Sequence, residues 1–372
     1  MKTTKPDYRN SIVNLSNSLL HRYNINPFHS TIQAVYDILV KHDKIVVLLF
    51  DGLGKALIKK HLEPSSFLVK NYFTTITSTF PPTTVAATTG LLSGRFPIEN
   101  GWLGWSQYFN DFKCNVDVFT NENSVTKIRV SNENEMRKVA SYKDIFQMVA
   151  EKNPKIRVAS VWPSIVEKGT ARDLPDFFDK VREVVSIKGE KFIYGYWLQP
   201  DGLIHMTGVG SEEVHKTILD INAGVSKLAY DFPDTLFLVL ADHGLVDIRF
   251  VAIEEHADFY DTLRRPFSNE PRAAFFFVKR GRKREFARLF KKYYGNEFVL
   301  KTKRQVLKEE WFGEGTPHPI VKHFLGDYLA IATDQTCFDY LLNGQMAHSR
   351  FKAHHAGLTD DEMLIDLMIM NK

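Results

Sequence analysis

Five short stretches carry side chains that could do chemistry together. Asp51 ends an apolar run in Phe50-Asp51-Gly52-Leu53-Gly54. Asp201 and His205 stand four apart in Pro200-Asp201-Gly202-Leu203-Ile204-His205, so a single helical turn lets both reach one ion. Asp242 and His243 are adjacent, and neighbours on a strand point to opposite faces, so they serve one ion only where the chain turns. Gly244 permits that turn. His354 and His355 fall in the turn Ala353-His354-His355-Ala356-Gly357. Oxygen and nitrogen ligands without thiolates suit zinc and tolerate manganese or iron. The fifth stretch, Thr79-Phe80-Pro81-Pro82-Thr83-Thr84-Val85, puts two prolines before a helix of small residues. Thr84 opens that helix, where free amides and the helix dipole favour an anion such as phosphate. Each stretch also has a plainer reading. Asp51, Asp201, Thr83 or Thr84 could simply cap a helix, and His205 or the paired histidines could face water.

The elements that must position these groups are legible as apolar runs. Residues 45–50, 73–76, 156–162, 192–197 and 235–240 read as buried parallel strands. Segments 31–40, 84–92, 142–150, 177–185 and 211–228 carry helical periodicity between them. The alternation predicts an α/β fold, a doubly wound and mostly parallel sheet, whose chemistry collects in the loops at the carboxyl ends of its strands. Further strands over 273–278, 298–301 and 328–333, with a basic helix over 283–293, read as a small α+β insertion. Phe286, Leu289 and Phe290 share the helix face that would pack on those strands, leaving its charges in water. The resulting division is a core over 1–249, a cap insertion over 250–345, and a return to the core over 346–372. That last part is predicted to hold the final histidine loop and a C-terminal helix whose start is marked by Thr359 and three acids. An edge helix is expected before residue 45.

Composition narrows the classes. The chain has 372 residues, 44% apolar and 25% charged, the balance of a globular protein. Its 48 basic and 44 acidic side chains leave a net charge of +4, too small for charge-driven binding of a nucleic-acid polymer. No run approaches the roughly 18 apolar residues of a membrane span, and the start lacks a signal-peptide core. Two distant cysteines, Cys114 and Cys337, fit no disulfide framework or metal knuckle. A cytoplasmic protein with a small-molecule substrate is the expectation.

Taken in order, the five stretches resemble the alkaline phosphatase superfamily, most closely its type I phosphodiesterase/nucleotide pyrophosphatase branch, over residues 45–370. The resemblance implies a hydrolase with two divalent metal ions, most simply zinc, acting on a phosphodiester or phosphoanhydride of nucleotide type through a phosphothreonine. It would place Asp51, Thr84, Asp242 and His243 at one ion and Asp201, His205 and His355 at the other, with His354 as a neighbour. Thr84 is preferred as nucleophile by its spacing to Gly94 and the turn that follows; Thr83 and Thr79 are the alternatives. Trp105 stands where many relatives carry a phosphate-gripping asparagine, and it or its aromatic neighbours could stack on the substrate. Monoester hydrolysis, phosphonate cleavage and phosphotransfer use the same metals. A binding module without turnover would not need an activated hydroxyl. The sulfatase signature is absent.

Overall fold

The computed structural model describes every residue except 167, 343, 344 and 349. Its central sheet has six strands in the order Tyr72–Thr77, Leu364–Met370, Leu236–Leu240, Lys44–Phe50, Lys191–Trp197 and Arg157–Val161. The last four run parallel. Lys191–Trp197 is buried along its whole length, as a strand covered on both faces must be. Two groups of helices flank the sheet: Ile12–Arg22, Thr84–Ser93 and Ile145–Lys152 pack on one another, as do Lys55–His61, Leu174–Ser186 and Glu212–Asp231. The protein is thus mixed α/β with a largely parallel central sheet.

Leu364–Met370 lies antiparallel to both its neighbours and corrects the C-terminal helix expected there. The helix-start signals are real but serve only the single turn Asp360–Met363, which Thr359 and Glu362 close as a capping box. The following apolar run, Leu364-Ile365-Asp366-Leu367-Met368-Ile369-Met370, is too short for periodicity to separate a buried helix from a strand. An open slot between two strands decides the matter. The N-terminal segment likewise differs from an edge helix. Ile12–Arg22 is almost wholly buried, and Ser16 and Asn17 donate to the carbonyls of Leu91 and Gly94, bracing the far end of Thr84–Ser93.

A second, seven-stranded antiparallel sheet runs Phe298–Thr302, Tyr328–Ala332, Ala273–Phe276, Ser268–Glu270, Ser106–Phe109, Cys114–Asp117 and Glu122–Asn123. It therefore draws three strands from residues 106–123, well before the expected boundary at 250. Phe286, Leu289 and Phe290 pack into its apolar core with Phe259, Phe276 and Phe338. The strand Ser268–Glu270 meets the start of Ser106–Phe109 through the pair Asn269 and Ser106.

Candidate active site

In register, Phe50 lies opposite Trp197 and Leu49 opposite Leu240, so three adjacent parallel strands end at one level. Asp51, Asp201 and Asp242 follow those ends. Gly52, at φ +73°, turns the first loop back, and its amide donates to Asp242 Oδ1 at 3.1 Å. Gly54 then passes so close to Gly244 that a Cβ on residue 54 would sit 2.5 Å from the Gly244 Cα. The absence of a side chain at residue 54 thus lets the loops that carry Asp51 and Asp242 touch.

Two ligand groups result. Asp51, Asp242 and His243 present one atom each within 4.8 Å of one another, and so do Asp201, His205 and His355. His243 Nε2 is 3.5 Å from both Asp51 Oδ1 and Asp242 Oδ2. His205 Nε2 is 3.4 Å from Asp201 Oδ2, and His355 Nε2 is 3.9 Å from Asp201 Oδ1. A tetrahedral ion at about 2.0–2.2 Å from each ligand would set ligands roughly 3.3–3.6 Å apart, close to these separations. The tautomers suit the same purpose. His205 Nδ1 lies 2.8 Å from the Ala353 carbonyl and His243 Nδ1 3.2 Å from that of Gly244, so each can donate there and leave Nε2 as a ligand. The rings of His243 and His355 lie 4.0 Å apart, so the two groups adjoin.

Electrostatics call for a cation. Burial, then the Asp242 and Asp201 carboxylates, push Asp51 well above the usual carboxylate range, against the opposing hydrogen bond from Tyr196. Burial also raises Asp242, with His243 opposing. His354 and His355 are driven down by burial first and then by neighbouring imidazoles, which keeps them neutral and able to bind metal. Asp201 Oδ1 and Asp242 Oδ2 are buried without a hydrogen-bond partner among the described residues. Buried, unpaired carboxylate oxygens converging with imidazole Nε2 atoms fit divalent ions.

Thr84 opens its helix facing the first group, with Oγ1 3.1 Å from His243 Nε2 and 3.5 Å from Asp51 Oδ1. The other candidate threonines face elsewhere. Thr79 donates to the Pro81 carbonyl at 3.3 Å, and Thr83 donates to Glu270 Oε1 at 2.7 Å. His354 packs its ring 4.9 Å from that of His205 and accepts the His355 amide at 2.9 Å, supporting the ligand set from behind. Trp105 is 36% exposed, with its ring 5.9 Å from Phe119 and its amide on Glu270 Oε1 at 2.7 Å.

Sequence reasoning missed two residues. Tyr196 donates a short hydrogen bond to Asp51 Oδ2 from within a strand where every side chain is buried, so no periodicity singled it out. Glu270, 2% exposed, enters from the second sheet, and burial pushes its carboxyl up to about 7 despite the Thr83 and Trp105 donors. Its neighbours Ser268, Asn269, Pro271 and Arg272 read as a polar turn, so no sequence signal singled it out.

Comparison with known proteins follows the same lines. The profile described as Type I phosphodiesterase / nucleotide pyrophosphatase matches residues 45–350. Among solved structures, the chain is similar to human ectonucleotide pyrophosphatase / phosphodiesterase 5, with a TM-score of 0.64 at 16% identity, covering 88% of this chain and 87% of that one. It is similar to the murine protein in complex with AMP, an inactive threonine-to-alanine variant, with a TM-score of 0.63 at 15% identity, covering 87% of each chain. Phosphonoacetate hydrolase from Sinorhizobium meliloti 1021, in complex with phosphonoacetate, gives 0.62 at 12% identity over 88% of this chain and 89% of that one. At such identities the likeness is one of fold. No curated protein sequence matches the chain.

Proposed function

Because this chain belongs to the type I phosphodiesterase / nucleotide pyrophosphatase family, we propose that it hydrolyses a phosphodiester or phosphoanhydride of nucleotide type, with Thr84 Oγ1 as the nucleophile. The observation that carries this reading is Thr84 at a helix N-terminus with its hydroxyl 3.1 Å from His243 Nε2 and 3.5 Å from Asp51 Oδ1. Two divalent ions, zinc first with manganese or iron as alternatives, would be held by Asp51, Thr84, Asp242 and His243 and by Asp201, His205 and His355; when bound they supply a lowered hydroxyl pKa and charge neutralisation at the reacting oxygens.

Thr84 Oγ1 forms the bond to phosphorus as the bond to the leaving oxygen breaks, giving a phosphothreonine and a free alcohol or nucleotide. Water then attacks the phosphothreonine, releasing phosphate or a phosphate monoester and restoring the hydroxyl. The amides of the first helical turn hold a non-bridging oxygen through the transfer. Tyr196 orients Asp51, and the Ala353 and Gly244 carbonyls orient His205 and His243.

Diesters are favoured over monoesters because no lysine or arginine follows Thr84 in its helix, Thr84–Ser93, and a dianionic monoester calls for an added cation. The relative crystallised with AMP supports a nucleotide-type substrate. Both cysteines are free, which supports a reducing compartment such as the cytoplasm. Among the described residues no helix is long and apolar enough to cross a membrane.

The zinc- or manganese-loaded enzyme is assayed with bis(p-nitrophenyl) phosphate, p-nitrophenyl phosphate and phosphonoacetate. The diester turns over fastest, and Thr84→Ala loses turnover while keeping bound metal. Mass spectrometry of acid-quenched enzyme finds the phosphoryl adduct on Thr84. Turnover surviving in Thr84→Ala overturns the assignment, and cleavage of phosphonoacetate alone moves the substrate to phosphonates.

A further inference from the structure

We propose that Tyr196 is a positioning residue that holds Asp51 to a single ligand atom, so that the remaining position at that ion falls to the Thr84 hydroxyl. The inference rests on the reading of Thr84 as nucleophile and takes it further, from which groups surround the first ion to how many atoms each contributes. Asp51 is 3% exposed, and its two oxygens are divided between two neighbourhoods. Oδ1 lies 3.5 Å from both His243 Nε2 and Thr84 Oγ1. Oδ2 accepts the Tyr196 phenol, the one donor that reaches it among the described residues.

The other two carboxylates show what this division does. Asp242 has it by another route. Its Oδ1 accepts the amides of Gly52 at 3.1 Å and His243 at 3.0 Å, leaving Oδ2, without a hydrogen-bond partner, 3.5 Å from His243 Nε2. Asp201, in the second group, lacks it. Its Oδ2 is 3.4 Å from His205 Nε2 and its Oδ1 3.9 Å from His355 Nε2, and among the described residues no hydrogen bond ties down either oxygen. The first group thus offers Asp51 Oδ1, Asp242 Oδ2, His243 Nε2 and Thr84 Oγ1, one atom each, the ligand number of a tetrahedral ion. Asp201 is free to offer one oxygen or two.

The phenol has little room to move. Tyr196 lies in the buried strand Lys191–Trp197, opposite Leu49 in the register, with its ring 5.3 Å from that of Trp162. Without the phenol, Asp51 Oδ2 becomes a buried carboxylate oxygen with no donor, which is unfavourable. The terminal torsion of an aspartate is soft, so the readiest relief in the metal-loaded protein is to turn Oδ2 onto the ion beside Oδ1. A bidentate Asp51 fills the position that Thr84 needs, and the hydroxyl loses its activation while the metal stays.

The test compares wild type, Tyr196→Phe and Tyr194→Phe, each loaded with zinc for kinetics and with cobalt(II) for spectroscopy. Tyr194 is the control because its hydroxyl, on the same strand, is buried without a partner among the described residues. With bis(p-nitrophenyl) phosphate, Tyr196→Phe loses about tenfold or more in kcat, the scale on which removing a support of a metal ligand acts. Zinc content stays at the wild-type level, with affinity within about threefold. The cobalt form loses visible absorption, as an ion passing from four ligands to five does, and Tyr194→Phe matches wild type throughout. Zinc affinity that falls as far as kcat marks a mere loosening of the site. That result, an unchanged kcat or cobalt spectrum, or an equal defect in Tyr194→Phe overturns the role given to Tyr196. Wild-type enzyme that carries no phosphoryl group on Thr84 after acid quenching removes the reading of Thr84 itself, whatever Tyr196→Phe does.

Discussion

Glu362→Gln is a demanding test of how the second ligand group is held. Glu362 and Arg272 are both fully buried, and the guanidinium meets the carboxylate in a two-point contact, Nε to Oε1 at 2.7 Å and Nη2 to Oε2 at 2.8 Å. The carboxylate also accepts the Gly357 amide at 2.7 Å and the Thr359 hydroxyl at 2.7 Å. An amide at this position turns an NH2 group toward donors on one side and leaves Arg272 without its counter-charge. Breaking one half of such a pair costs about 3–5 kcal/mol, a large part of the roughly 5–15 kcal/mol that a folded protein commands. Because the Gly357 and Thr359 contacts brace the turn that follows His355, metal affinity should drop as well, by about 10–100-fold as for other supports of metal ligands. Urea unfolding of the metal-loaded protein reads the first effect as a fall in midpoint at constant slope, and competition with a zinc chelator reads the second. Replacing both partners, as in Arg272→Met/Glu362→Leu, should cost less than Glu362→Gln alone. A midpoint shift worth under about 1 kcal/mol for Glu362→Gln, or a double variant worse than that single change, would refute the reasoning.

Three further perturbations address the site directly. His205→Ala should lower bound zinc from two ions to one per chain by elemental analysis; retention of both would separate His205 from metal binding. Gly54→Ala forces a Cβ to 2.5 Å from the Gly244 Cα and should cut kcat by more than tenfold as the loops carrying Asp51 and Asp242 part, whereas near-normal kcat would mean the loops yield without harm. Glu270, raised from about 4.5 to about 7, binds its proton more tightly in the folded state, so its stabilising contribution is complete below pH 4.5 and is lost as pH rises through 7. In chelator-treated protein, Glu270→Gln should therefore gain on wild type by about 2–3 kcal/mol between pH 5 and pH 8 in urea titrations, and a gap independent of pH would contradict the raised carboxyl.

Asp51, Asp242 and His243 were legible because a charge that ends a fully apolar run is conspicuous, and the run itself marks the strand whose end they occupy. His355 stood out from His354 by resemblance alone; in the structure it joins Asp201 and His205 while its neighbour packs behind. The strand Leu364–Met370 escaped because its residues suit helix or sheet equally, and its partners lie more than 100 residues earlier in the chain. Tyr196 and Glu270 were hidden for the same reason at the level of side chains: their partners are 145 and 187 residues away, and nothing in their immediate neighbours distinguishes them. Local pattern carries the ends of strands; long-range closure decides who meets whom beyond them.

The contact between Gly54 and Gly244 has an evolutionary corollary. Where two peptide chains rest on each other, the spacing of the loops is a property of the main chain, and the surrounding side chains can be exchanged without retuning it. A scaffold of that kind leaves the side chains around it free to change while the spacing of the two loops is kept.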